Sequence, residues 1–221
     1  MNMWWKLASC LIIGMLTAAC DDGSTSDSTL TVGGDTPEAT VAALIAHLDN
    51  AEFDEAGQLS VPGQAALASL AEGATFSDVA DALREGDAHV SANFWAGFAQ
   101  GAGGYLASAS VTGADDPVVR DHVELHPVTV RPREGPARRI FVRNGEDPRV
   151  DLFASFAAGL ADRMPAAVER LITTNTDDAR LILEELDNVV PSLLVAVEQG
   201  DQPIEATQQI LRLVELITRV G

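Results

Sequence analysis

Residues 118–150 read VVRDHVELHPVTVRPREGPARRIFVRNGEDPRV, and this stretch decides the fold class. Val123, Leu125, Val128 and Val130 mark a long strand over 118–130, bent near Pro127. Pro132, Gly135 and Pro136 fall within 131–137 and predict a turn. Arg138–Arg143 alternates in hydropathy and predicts the return strand of a hairpin. Asn144 to Pro148 forms a second turn signal, and residues 149–153 predict a last short strand. Three or four consecutive antiparallel strands are therefore expected.

Working outward, both flanks turn helical. Thr36 and Pro37 are an N-cap and first-turn pair, and Val41, Leu44, Ile45 and Leu48 then recur at helical spacing. Shorter helices are expected over 52–60, 64–72 and 76–85, and another carries Phe94, Trp95 and Phe98. After Ala154 the pattern is helical to the end, with a break at Pro191 and a final helix opened by Pro203. The fold class expected is α+β: N-terminal helices packed on a curved, cone-like antiparallel sheet, followed by C-terminal helices.

Composition narrows the functions open to the chain. Thirty-three Asp and Glu stand against 14 Lys and Arg, with a net charge of -19. Lys6 is the sole lysine. Nucleic-acid binding is not expected, because it needs a basic face that displaces counterions. Cys10 and Cys20 are the two cysteines, too few beyond the N-terminal segment for a disulfide or a Cys-based zinc site. No P-loop, HExxH or nucleophile elbow appears in the sequence.

The first residues carry a signal of their own. MNMWWK is a short n-region with one lysine, and residues 7–19 (LASCLIIGMLTAA) are apolar. A run of 13 residues is too short to span a bilayer as a helix and has the length of an export-signal h-region. Leu16-Thr17-Ala18-Ala19-Cys20 resembles the lipobox of bacterial lipoproteins. That resemblance implies cleavage before Cys20 and lipid attachment to it; a plain secretory signal cleaved near Ala19 is the alternative. Residues 1–19 are then the signal and 20–35, rich in Ser, Thr, Asp and Gly, a flexible tether with a reach of about 20 Å. Residues 36–158 would form the α+β domain and 159–221 a C-terminal helical segment.

The opening TPEATV at 36–41, the NAEFDEA at 50–56 and Arg149-Val150-Asp151-Leu152 resemble stretches of the nuclear-transport-factor-two-like domains. The resemblance covers roughly residues 36–155 and implies helices capping a cone of antiparallel strands. That superfamily hosts enzymes, binding proteins and assembly modules, so it assigns no function. Its isomerases use an Asp base and an oxyanion hole in the cone; no residue here matches those one by one, and none is carried over.

Candidate chemistry lies in three places. Six of the 13 arginines, Arg131, Arg133, Arg138, Arg139, Arg143 and Arg149, fall within 19 residues. Forked guanidiniums in a cluster suit carboxylate or phosphate groups, although they also serve to neutralise the domain's own acidic helices. Phe94, Trp95, Phe98 and Tyr105 are expected either to line a ligand pocket or to fill the core. Asp81, Asp87 and Asp151 are candidate acids or bases for such a pocket, while His122, Glu124 and His126 share one face of the expected strand. The two histidines would stand about 13 Å apart along a strand, too far to share an ion, so a solvated polar face is expected and no metal or cofactor. The function expected is a non-catalytic binding or interaction module, held at a membrane through Cys20. Its ligand would be small and apolar or anionic, or its partner an envelope protein. A small-molecule enzyme with a carboxylate in the cone and a structural envelope lipoprotein are the alternatives.

Overall fold

A computed structural model describes residues 34–86, 88–101, 104–199 and 202–219. Cys20, the expected export signal, most of the expected tether and Asp87 lie outside the described residues, as does the side chain of His89.

The chain is α+β. Five helices come first: α1 (Pro37–Asp49), α2 (Phe53–Gln58), α3 (Gln64–Ala68), α4 (Phe76–Glu85) and α5 (Ala88–Gln100). Five strands follow: β1 (Ser110–Ala114), β2 (Val118–Arg120), β3 (Val123–Arg131), β4 (Arg138–Arg143) and β5 (Arg149–Val150). Six helices close the chain: α6 (Leu152–Ser155), α7 (Ala157–Arg163), α8 (Pro165–Thr173), α9 (Asp177–Asp187), α10 (Val190–Glu198) and α11 (Ile204–Thr218).

The helix starts follow local chemistry. The side chains of Thr36, Thr75 and Thr176 accept the amides of Ala39, Asp78 and Ala179, capping α1, α4 and α9. Each such cap is worth about 1 kcal/mol. Pro37 and Pro191 sit in first turns, where no amide donor is needed. The break expected at Pro191 therefore falls where α10 starts.

The strands form one antiparallel sheet, with β1, β3, β4 and β5 adjacent in that order. The expected hairpin is β3–β4, with Leu125 opposite Arg143 and Val130 opposite Arg138. The expected single strand over 118–130 is corrected. Val118 pairs with Leu125 and Arg120 with Val123, so the chain reverses between β2 and β3. Asp121 and His122 make that reversal with φ of 45° and 69°. Positive φ at both central positions is the geometry of a tight hairpin turn whose twist matches its strands, and Asp tolerates it better than most residues. β1 and β2 thus run in succession along the same side of β3, and Asp115 N bridges their gap by donating to Pro127 O at 2.9 Å.

Both faces of the sheet are covered. Val128, Val130, Ile140 and Val142 join the main core with α1, where Val41 and Leu44 are wholly buried. Leu125 and Phe141 face the other way and pack with Ala154 of α6 and Val195 of α10. The main core runs without a break from Val41 to Ile217, so residues 36–158 and 159–221 share it. The far edge of β5 is closed by residues 59–61: Val150 N donates to Leu59 O and Val61 N donates to Val150 O.

The chain enters the domain at one end of this sheet. Thr40 Oγ1 lies 3.2 Å from Gly34 O and 3.4 Å from Pro148 O, which places the start of the domain beside the β4–β5 turn. Arg138 begins β4 at its other end, about 17 Å away at the rise of an extended strand.

Candidate functional site

The arginines of the hairpin do not form one cluster. Arg139 and Arg143 share a face of β4, as the alternation predicts, while Arg138 points to the opposite face. Arg131 and Arg133 are exposed at the hairpin tip and have no carboxylate partner among the described residues. Arg149 lies 3.6 Å from Asp147. Arg139 donates to Gln199 Oε1 at 2.9 Å and its Nε lies 3.7 Å from Asp115.

Arg143 belongs to a closed polar junction. Its Nε donates to Asp151 Oδ2 at 2.7 Å. Gln64 Nε2 at 3.1 Å and Ser192 Oγ at 2.8 Å donate to the same oxygen. Ala154 N donates to Asp151 Oδ1 at 2.9 Å, so Asp151 also caps α6. Gln64 in turn accepts the Leu152 amide at 2.7 Å. Asp151 is completely buried. Three donors thus share Oδ2 and a fourth holds Oδ1, so both oxygens of the carboxylate are engaged by the protein. The junction ties α3, β4, α6 and α10 together. Asp151 was a candidate acid or base; its oxygens are instead committed to holding the fold. The sequence carries half of this: an Asp just before an apolar helix start is an N-cap signal. The partners at 64 and 192 are non-local and leave no local pattern.

The aromatic candidates divide. Trp95 is wholly buried and donates Nε1 to Ser60 Oγ at 3.1 Å, so it belongs to the core and to the wall of neither cavity described below. Its ring meets Phe98 edge-on, with centroids 5.3 Å apart. Phe94, Phe98 and Tyr105 do line a cavity of about 150 Å³, together with Phe156 and Leu160. Phe156 and Leu160 were not singled out in the sequence; Phe156 stacks obliquely on Phe98 at 4.5 Å. It occupies the α6–α7 junction, a stretch expected to be simply helical, and nothing in the local sequence marks it as lining.

A second, larger cavity of about 520 Å³ adjoins the first: Tyr105, Arg138, Ser155 and Gln202 belong to the walls of both. The Arg138 guanidinium lies over the Tyr105 ring, 4.7 Å from its centroid. Burial pushes the Tyr105 hydroxyl up to about 12, partly opposed by the Arg138 charge. Arg139 and Asp115 stand on the wall of the larger cavity. The Glu72–Arg163 pair, at 2.7 Å, borders the smaller one.

The histidine candidates are not brought together. His122 sits in the β2–β3 turn, and His126 Nε2 lies 3.0 Å from Glu124 Oε1 in an exposed pair near the start of β3. Asp81 is exposed on α4 and pairs with Arg84 at 3.1 Å. Among the described residues no three His, Cys, Asp or Glu side chains converge as metal ligands. No described helix is long and apolar enough to cross a membrane.

Comparison with family models, with curated proteins and with solved structures gives no match to the chain.

Proposed function

We propose that the chain is an exported, non-catalytic binding module, held at the extracytoplasmic face of a bacterial membrane by lipid on Cys20. The observation that carries the binding part is the pair of adjoining cavities, whose shared wall joins Tyr105 and Arg138. Apolar aromatic walls with a few convergent polar groups are the usual make-up of a small-molecule site. The non-catalytic part is supported by Asp151, a buried carboxylate with both oxygens held by protein donors. The anchor rests on the apolar run over 7–19 and the small residues before Cys20.

Intact mass of the membrane-extracted protein tests the anchor. The expected mass is that of the chain from Cys20 onward plus a diacylglyceryl group, and Cys20→Ala should release the protein into the soluble fraction. A mass matching plain cleavage would remove the membrane from the proposal. A screen of small apolar and anionic compounds by thermal unfolding tests the binding part, since a ligand that binds only the folded state raises its unfolding temperature. A screen without any stabilising compound would overturn it.

A further inference from the structure

We infer that the adjoining cavities take a small aryl monocarboxylate, with its ring among Phe94, Phe98 and Phe156 and its carboxylate on the Arg138 guanidinium. This rests on the ligand-binding reading above and gives it a chemical class.

Size sets the ring. The smaller cavity measures about 150 Å³, the volume at which an apolar cavity accommodates one benzene ring, and its lining combines Phe94, Phe98, Phe156 and Leu160 with the charged Glu72, Arg138 and Arg163. Its aromatic walls offer faces and edges to a ring at the offset and edge-on geometries already seen between Phe98 and its neighbours. The larger cavity continues from the same wall and leaves room for a short side arm beyond the ring.

Charge sets the other end of the ligand. Three arginines and two carboxylates line the combined cleft. Each carboxylate lies beside an arginine other than Arg138: Glu72 at 2.7 Å from Arg163, and Asp115 at 3.7 Å from Arg139. Arg138 is the arginine of the cleft with no carboxylate partner among the described residues; what it has is the Tyr105 ring beneath it. A guanidinium attracted to a ring face still offers N–H donors to a planar, bidentate acceptor. In a chain of net charge -19, anions are repelled over most of the surface, so one unmatched cation beside an aromatic cavity selects both where and what binds. A single unmatched charge fits one carboxylate better than a phosphate dianion.

The test is calorimetric titration of the purified protein with 3-phenylpropionate and, separately, with the isosteric neutral 3-phenylpropionamide. The acid should bind at least tenfold more tightly than the amide. Arg138→Gln should abolish that preference, while Arg131→Gln, which removes a tip arginine that lines neither cavity, should preserve it. Equal binding of acid and amide, or an undiminished preference in Arg138→Gln, would overturn the inference while leaving a ligand-binding module in place. Binding of neither compound would sink the inference; the wider binding reading falls only if the compound screen also fails. Should Arg138→Gln not fold, Ala158→Trp on the wall of the smaller cavity provides the check: it should eliminate binding of both compounds, and retained binding would place the ligand elsewhere.

Discussion

Arg138 and Arg143 stand at the two ends of one strand and meet opposite fates. Arg143 closes onto a buried carboxylate that three further donors also hold, and nothing there is left over for a ligand. Arg138 lies on a tyrosine ring at the mouth of a cleft, with its edge donors not matched to a carboxylate. The same side chain, five residues away, is a structural tie in one place and a recognition group in the other. What separates them is the partner the fold brings up. Asp151 arrives from the end of the sheet and Ser192 from α10, whereas Tyr105 arrives from the turn between α5 and β1.

The comparison breaks most sharply at Asp151. Asp151→Ala leaves the Arg143 guanidinium, Gln64 and Ser192 without their common acceptor and removes the cap of α6. Removing one partner of a buried ion pair is expected to cost about 3–5 kcal/mol, and Arg143 keeps some solvent, so about 3 kcal/mol is expected. Urea unfolding should show the free energy of unfolding falling by that amount, while Arg138→Gln changes it far less. Equal losses would mean that the two arginines do the same work.

A smaller effect sharpens the cleft side. The Tyr105 hydroxyl is raised from 10.0 to about 12 by burial, so the unfolded chain gives up this proton first as pH rises. The stability tied to the protonated hydroxyl is complete below pH 10 and is lost as the pH climbs through 12. Tyr105→Phe should therefore flatten the alkaline part of the pH–stability curve by up to about 2 kcal/mol and change little at neutral pH. A Tyr105 that ionises near pH 10 would show an open rather than an enclosed cleft wall.

The least effect is expected at the hairpin tip. Arg131→Gln with Arg133→Gln removes two exposed cations that meet no carboxylate among the described residues, and stability should stay within about 0.5 kcal/mol. A larger loss would assign the tip a structural partner and blur the contrast along β4.

The elements were legible where periodicity and punctuation act locally. Thr36-Pro37 opens α1, the β3–β4 hairpin keeps its alternation, and Pro191 and Pro203 mark the last two helix starts. The Asp121-His122 reversal was not, because it lacks the glycine or asparagine that advertises such a turn; without it, 118–130 reads as one strand. The site was legible only as a set of residue types. That Phe94, Phe98 and Tyr105 share a cavity, while Trp95 turns inward to Ser60, depends on how α5 rotates against α2 and α6, which no spacing in α5 specifies. That Arg138 stays unmatched depends on a tyrosine 33 positions earlier.

The hydrogen bonds of Thr40 to Gly34 and Pro148 have a consequence for access. They hold Gly34 beside the Pro148 end of β4, whereas Arg138, at the strand's other end, belongs to the walls of the cleft. Gly34 and the Arg138 wall of the cleft therefore lie at opposite ends of one strand. Under the tether proposed above, a change in the length of the segment before residue 34 should leave the walls of the cleft as they are.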